Sequence, residues 1–139
     1  MKEIIIHGRK AYKGHAAGEA IVSTDGLGTF GSINEKTGVV TERGHAIFGQ
    51  CIHGEILVFP YAKGSSAWGR SFQVMDYNGV TPKAMLVSLI DTRSALGAVA
   101  ARLPTMTDFD IDPLTVIETG DWVDVNADEG IVTVTKKNS

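Results

Sequence analysis

Cysteine is almost absent: Cys51 is the only one among 139 residues. A single thiol excludes an internal disulfide, and with it the framework of small disulfide-built secreted domains. It also excludes an iron–sulfur cluster held by this chain alone, which takes several thiolates. Cys51 itself reads as a small buried apolar residue, the habit of free cysteine. An excess of positive charge is lacking too. The 13 Lys and Arg stand against 16 Asp and Glu, giving a net charge of −3 with no basic block. No nucleic-acid partner is therefore expected, because phosphate binding needs clustered cations. Long hydrophobic runs are missing. Ile4-Ile5-Ile6 is too short for a signal sequence or a membrane span and reads as a first strand. A cytoplasmic protein with no membrane partner is the default expectation. The four histidines, at 7, 15, 45 and 53, form no H-x-x-x-H pair. No metal site built by this chain alone is expected.

What is present suits an ordinary globular domain. Hydrophobic residues make up 43% and charged residues 21%, and the length fits a single domain over 1–139. Short alternating runs predict strands at Glu3–His7, 19–23, around 39–41 and 55–59. Turn signals such as Lys13-Gly14, Asp25-Gly26 and His53-Gly54 separate them. The run Ile56-Leu57-Val58-Phe59 is continuous, as in a strand buried on both faces. A loop from Pro60 to Gly64 follows. Ser65 or Ser66 is placed to N-cap a helix running to Tyr77, with Trp68, Phe72 and Met75 on one face. Asn78-Gly79 ends it. A second buried strand, Ala84–Leu89, leads to a second helix, capped by Asp91 or Thr92 and reaching Leu103. Its expected apolar face is Ala95, Leu96, Val99 and Leu103, with Gly97 permitting close packing. Strand–helix–strand order implies parallel strands. The tail reads as strands at 114–118, 122–125 and Ile131–Thr135, with 136–139 frayed. The whole predicts an α/β (α+β) domain, a β layer decorated by two helices.

Lys63-Gly64-Ser65-Ser66 is the stretch richest in chemical possibility. It lies between a buried strand and a helix start, where backbone N–H groups and the helix dipole favour negative charge. A serine there either caps the helix or presents a hydroxyl that those N–H groups stabilise as an alkoxide. Lys63 is a local cation for that alkoxide or for a substrate anion. The run is not a Walker A loop, since the lysine precedes the glycine. It is not a G-x-S-x-G elbow either. His45 reads as a solvated or locally hydrogen-bonded loop residue. Asp108, Asp110 and Asp112 lack the glycine and glutamate of a calcium loop and read as a solvated turn. Trp68 and Trp122 read as core or interface anchors. No Ser–His–Asp arrangement can be placed, so a self-sufficient hydrolase is not favoured.

The ordered set Gly14-x-Ala16-x-Gly18-Glu19-Ala20, Phe30-Gly31, Thr37-Gly38, His45, Gly49, Gly54, Leu57-Val58-Phe59-Pro60, Lys63-Gly64-Ser65, Asn78-Gly79, Pro82-Lys83-Ala84, Gly97, Pro104, Gly120-Asp121 and Gly130-Ile131-Val132-Thr133-Val134 resembles the small subunit of aconitase X-type dehydratases. The resemblance implies a swivelling β/β/α domain like the mobile domain of aconitase. It implies one subunit of a heteromeric hydro-lyase acting on a small hydroxy acid, mevalonate 5-phosphate or cis-3-hydroxy-L-proline. On that resemblance Ser65 is the proton acceptor, Lys63, Gly64 and Ser66 help bind substrate, and an iron or iron–sulfur centre belongs to a larger partner subunit. Three places depart from the family pattern: residues 30–34, Trp68 with Gly69 and Arg70, and Arg93 at a helix start that is commonly apolar. The rival expectation is a non-catalytic β-rich binding or regulatory module that keeps the fold. Dehydration needs a base for the proton and an acid for the departing hydroxide. The sequence offers a position for the first and none for the second.

Overall fold

Strands near the two ends of the chain pair with each other in the computed structural model, which describes residues 2–137. The element order is β1 (Glu3–His7), β2 (Arg9–Tyr12), β3 (His15–Val22), β4 (Ile56–Tyr61), α1 (Trp68–Tyr77), β5 (Ala84–Leu89), α2 (Thr92–Ala101), β6 (Thr105–Thr107), α3 (Pro113–Val116), β7 (Trp122–Asn126) and β8 (Ile131–Thr135). The strands form one mixed sheet in the order β1-β8-β7-β3-β4-β5-β6-β2. β3 joins its two halves. Residues 15–19 pair antiparallel with β7, and residues 20–22 pair parallel with β4.

The pattern of each strand follows from what covers it. β7 and β8 alternate, burying Val123, Val125, Val132 and Val134 and turning their other residues outward. β4 and β5 each begin with four consecutive buried residues, because both of their faces are covered. On one face Ile56, Val58, Ala84 and Leu86 meet the four valines of β7 and β8. On the other, Leu57, Phe59, Met85 and Val87 lie under Trp68, Phe72, Met75 and Ala98 of the helices. The result is a β/β/α stack, the expected fold.

Several local expectations need correction. Neither Ser65 nor Ser66 caps α1. The cap position is Ala67, with no side-chain cap bond. Asp91 caps α2 through a capping box with Ser94, and the helix ends at Ala101, where Arg102 turns left-handed. The buried face of α2 is Ser94, Gly97, Ala98 and Ala101. Leu96 and Val99 are 44% and 55% exposed. Small residues face inward because α2 presses on α1: a Cβ on Gly97 would stand 2.9 Å from Trp68 Cε3. The strand expected at 114–118 is instead α3, started by the Asp112 carboxylate and Pro113. The pair expected around 39–41 is reduced to single bridges, Ile33 with Val40 and Val39 with Cys51. Cys51 is exposed, not buried, and its thiol donates to the Thr37 carbonyl at 3.4 Å. Trp68 is core, whereas Trp122 is half exposed. Strands β2 and β6 add to the expected set. Asn138 and Ser139 lie outside the described residues. Lys136, expected to fray, is tied to buried Asp121 at 2.5 Å.

Candidate active site

Ser65 stands just past the C-terminal end of β4, and the backbone before it is fixed. Leu27 and Ala62 form a parallel bridge, and the Lys63 N–H donates to the Leu27 carbonyl at 3.0 Å. The chain then turns at Gly64, whose φ of +89° suits glycine. Gly64, Ser65 and Ser66 are all exposed. The Ser65 hydroxyl accepts the Ala67 N–H at 3.3 Å, one residue before the helix. That bond favours a negatively charged oxygen. Among the described residues, the N–H groups of Gly64, Ser65 and Ser66 have no acceptor. They form a donor-rich stretch of the kind that receives anions.

Three side chains hold this turn. Trp68 donates its indole N–H to the Lys63 carbonyl at 3.3 Å while stacking between Phe59 and Phe72. Arg93 reaches the Gly64 carbonyl through Nη1 at 2.9 Å. Lys63 Nζ meets Glu42 Oε2 at 2.8 Å, and the Ser32 hydroxyl donates to Glu42 Oε1 at 3.0 Å. The Lys63 hydrogen bond holds the Glu42 carboxyl below its ordinary value, against the effect of burial. The same bond raises Lys63. Lys63, the local cation expected from the sequence, is therefore paired with Glu42. Its side chain remains 41% exposed, with two further N–H donors.

The other titratable groups do not converge here. His45 is buried rather than solvated, and it is locally hydrogen-bonded as the alternative expectation had it: its Nδ1 accepts the Ile47 N–H, and its Nε2 bonds the Gly26 carbonyl at 2.9 Å. His7 pairs with Asp110, and His15 with Asp124. Asp108, Asp110 and Asp112 separate to serve Arg9, His7 and the start of α3. Among the described residues no three of His, Cys, Asp and Glu are grouped to hold a metal. Among the described residues no helix is long and apolar enough to cross a membrane. The hollows lined by Glu19, Cys51 and Glu55, or by Ser88 and Asp112, do not include Ser65. Ser65 sits on an open surface with donors but no proton partner of its own.

The profile of the aconitase X swivel domain matches residues 5–134. The chain belongs to the aconitase X swivel-domain family. Its similarity to whole relatives is end to end. It is 39% identical to the phosphomevalonate dehydratase small subunit of Methanococcoides burtonii, covering 95% of this chain and 96% of that one. It is 40% identical to the subunit of the same name from Thermococcus gammatolerans, covering 93% and 96%. The crystal structure of Thermococcus kodakaraensis aconitase X in its holo form superposes with a TM-score of 0.90 at 36% identity, over 96% of this chain and 99% of that chain. In this swivel domain Trp68 and Arg93, two of the residues expected to depart from the family pattern, both hold the turn that carries Ser65. The anchoring roles of Arg93 and Glu42 have no local signal in the sequence, because their partners lie 29 and 21 residues away in the chain.

Proposed function

We propose that this swivel domain is the small subunit of a heteromeric hydro-lyase that removes water from mevalonate 5-phosphate, with Ser65 as its proton acceptor. The observation that carries this reading is the end-to-end likeness to relatives named phosphomevalonate dehydratase small subunit. The geometry supports it. In dehydration the base takes a proton from carbon, the C–H electron pair becomes the double bond, and hydroxide leaves from the neighbouring carbon. Ser65 Oγ takes the proton. A serine is a weak base unless its alkoxide is stabilised, and the Ala67 N–H, 3.3 Å from Ser65 Oγ, contributes to that stabilisation. Gly64 and Ser66 offer donors to an anionic substrate, and Lys63 keeps donors beyond its bond to Glu42. The acid that meets the hydroxide comes from outside this chain.

The larger subunit docks over the Gly64–Ser65 turn and completes the pocket. On this reading an iron or iron–sulfur centre lies on that partner; among the described residues of this chain no three of His, Cys, Asp and Glu are grouped to hold one. Co-expression with the large subunit tests the reading. The complex should dehydrate mevalonate 5-phosphate, and neither chain should do so alone. Turnover of cis-3-hydroxy-L-proline in its place would overturn the substrate. A stable complex inactive on both would favour a binding module.

A further inference from the structure

The Gly64–Ser65 turn is exposed, and an added Cβ on Gly64 would meet nothing within 4 Å. Packing therefore does not fix this peptide. Among the described residues, one long-range hydrogen bond reaches the stretch from Gly64 to Ser66: Arg93 Nη1 to the Gly64 carbonyl, 2.9 Å. The guanidinium is itself held. Its Nε and Nη2 both donate to Asp91 Oδ2, at 2.9 and 2.7 Å. Asp91 in turn is fixed as the cap of α2, its Oδ1 accepting the Arg93 and Ser94 N–H groups. α2 is locked on α1 through Gly97. A rigid path thus runs from the helix layer to one carbonyl of the turn.

We propose that Arg93 is a positioning residue for Ser65, which rests on Ser65 being the proton acceptor. The physical reason lies in the peptide unit. A trans peptide is planar, so its C=O and the following N–H point in opposite directions. Fixing the Gly64 carbonyl on Arg93 aims the Ser65 N–H away from α2, toward the open face where substrate and partner arrive. It also limits the rotation that would carry the Ser65 hydroxyl out of line with the reacting carbon. The guanidinium adds positive charge one residue from the developing alkoxide. Asp91 balances part of that charge and keeps the fork oriented. Lysine could reach the carbonyl but not span both partners, because it lacks the planar fork. Arg93 touches no reacting atom in this scheme. It acts through Ser65.

The test uses the assembled two-subunit enzyme and the variants Arg93→Ala, Arg93→Lys and Ser65→Ala, alone and combined. Arg93→Ala should leave the complex intact by size-exclusion chromatography. It should lower kcat by ~10- to ~100-fold, the scale of a misplaced catalytic group, with KM little changed. The pH at which kcat rises should move upward, since less positive charge stabilises the alkoxide. Arg93→Lys should restore part of kcat. In the Ser65→Ala background, Arg93→Ala should cause little further loss. A merely structural arginine would lower the melting temperature and leave the pH profile of the intact complex unmoved. Full kcat and an unshifted profile in Arg93→Ala, beside an inactive Ser65→Ala, would overturn the positioning role alone. The same loss with and without Ser65 would show that Arg93 acts elsewhere. An active Ser65→Ala enzyme would instead overturn the proton-acceptor reading beneath it.

Discussion

Asp121 shows how much one residue can hold. Its side chain is fully buried, and it accepts from Lys136 Nζ and from the N–H groups of Glu118 and Lys137. Burial alone would raise its pKa, but these donors outweigh it and hold the carboxyl below the usual range. A depressed carboxylate stabilises the fold fully above its unfolded value of ~3.9, and that stability is lost as pH falls through the lower folded value. Asp121→Ala should therefore cost ~1.5–3 kcal/mol at neutral pH, the scale of hydrogen bonds to a charged group, because Lys136 keeps Glu118 at 3.2 Å and the Val116 carbonyl at 2.7 Å. Urea melts at neutral and strongly acid pH check this: the gap between wild type and variant should narrow on the acid side. A gap independent of pH would contradict it. The Glu42–Lys63 pair is more exposed and should contribute at most ~1 kcal/mol. Residue chemistry is legible in the sequence where it is local. Lys63, Gly64, Ser65 and Ser66 stand out because their neighbours along the chain define a strand end and a helix start. Glu42 and Arg93 do not, because tertiary folding brings them to the turn. Cys51 departs from its expected burial for a similar reason. Its backbone bridges to Val39, which turns the thiol outward to Thr37.

At the scale of elements, α2 carries the clearest lesson. Its bulky residues suggest one face, and the fold buries another. Gly97 is the cause, since only a residue without a side chain lets α2 close on the Trp68 and Phe72 rings. A Cβ there would meet Phe72 Cδ1 at 3.2 Å as well as Trp68. Gly97→Val should lower stability by ~1–3 kcal/mol, the usual cost of overpacking, measured by thermal or chemical melts. A variant as stable as the wild type would show that the helices can part freely. The β-branched run of Thr115, Val116 and Ile117 suggests a strand, whereas Asp112-Pro113 starts a helix, and the start signal wins. β2 is hard to read from sequence because Arg9 and Lys10 are exposed on an edge strand. β6 is hard to read because it has three residues. The doubly buried β4 and β5 are plain, because a continuous apolar run of strand length, bounded by turn residues, fits a strand covered on both faces.

For the whole molecule, the question is what covers the open face. Tyr61 and Leu89, register partners at the ends of β4 and β5, are 46% and 68% exposed. Phe30, in the segment after the Leu27 bridge, is 73% exposed. The apolar pair at the ends of β4 and β5 suits the proposed contact with the larger subunit. Leu89→Glu should leave the isolated fold unchanged and weaken large-subunit binding by at least ~10-fold, a loss near ~1.4 kcal/mol. Calorimetric titration checks it, and unaltered affinity would move the interface elsewhere. The most direct test of the half-site reading is turnover of mevalonate 5-phosphate by the two-subunit complex carrying Ser65→Ala, set against Ser66→Ala. Each variant removes one oxygen from the same turn. Ser65→Ala should bind its partner normally and lose at least ~10²-fold in turnover, the low end for a positioned base, while Ser66→Ala loses far less. Equal losses in the two variants, or an active Ser65→Ala complex, would contradict the assignment of Ser65 as the proton acceptor.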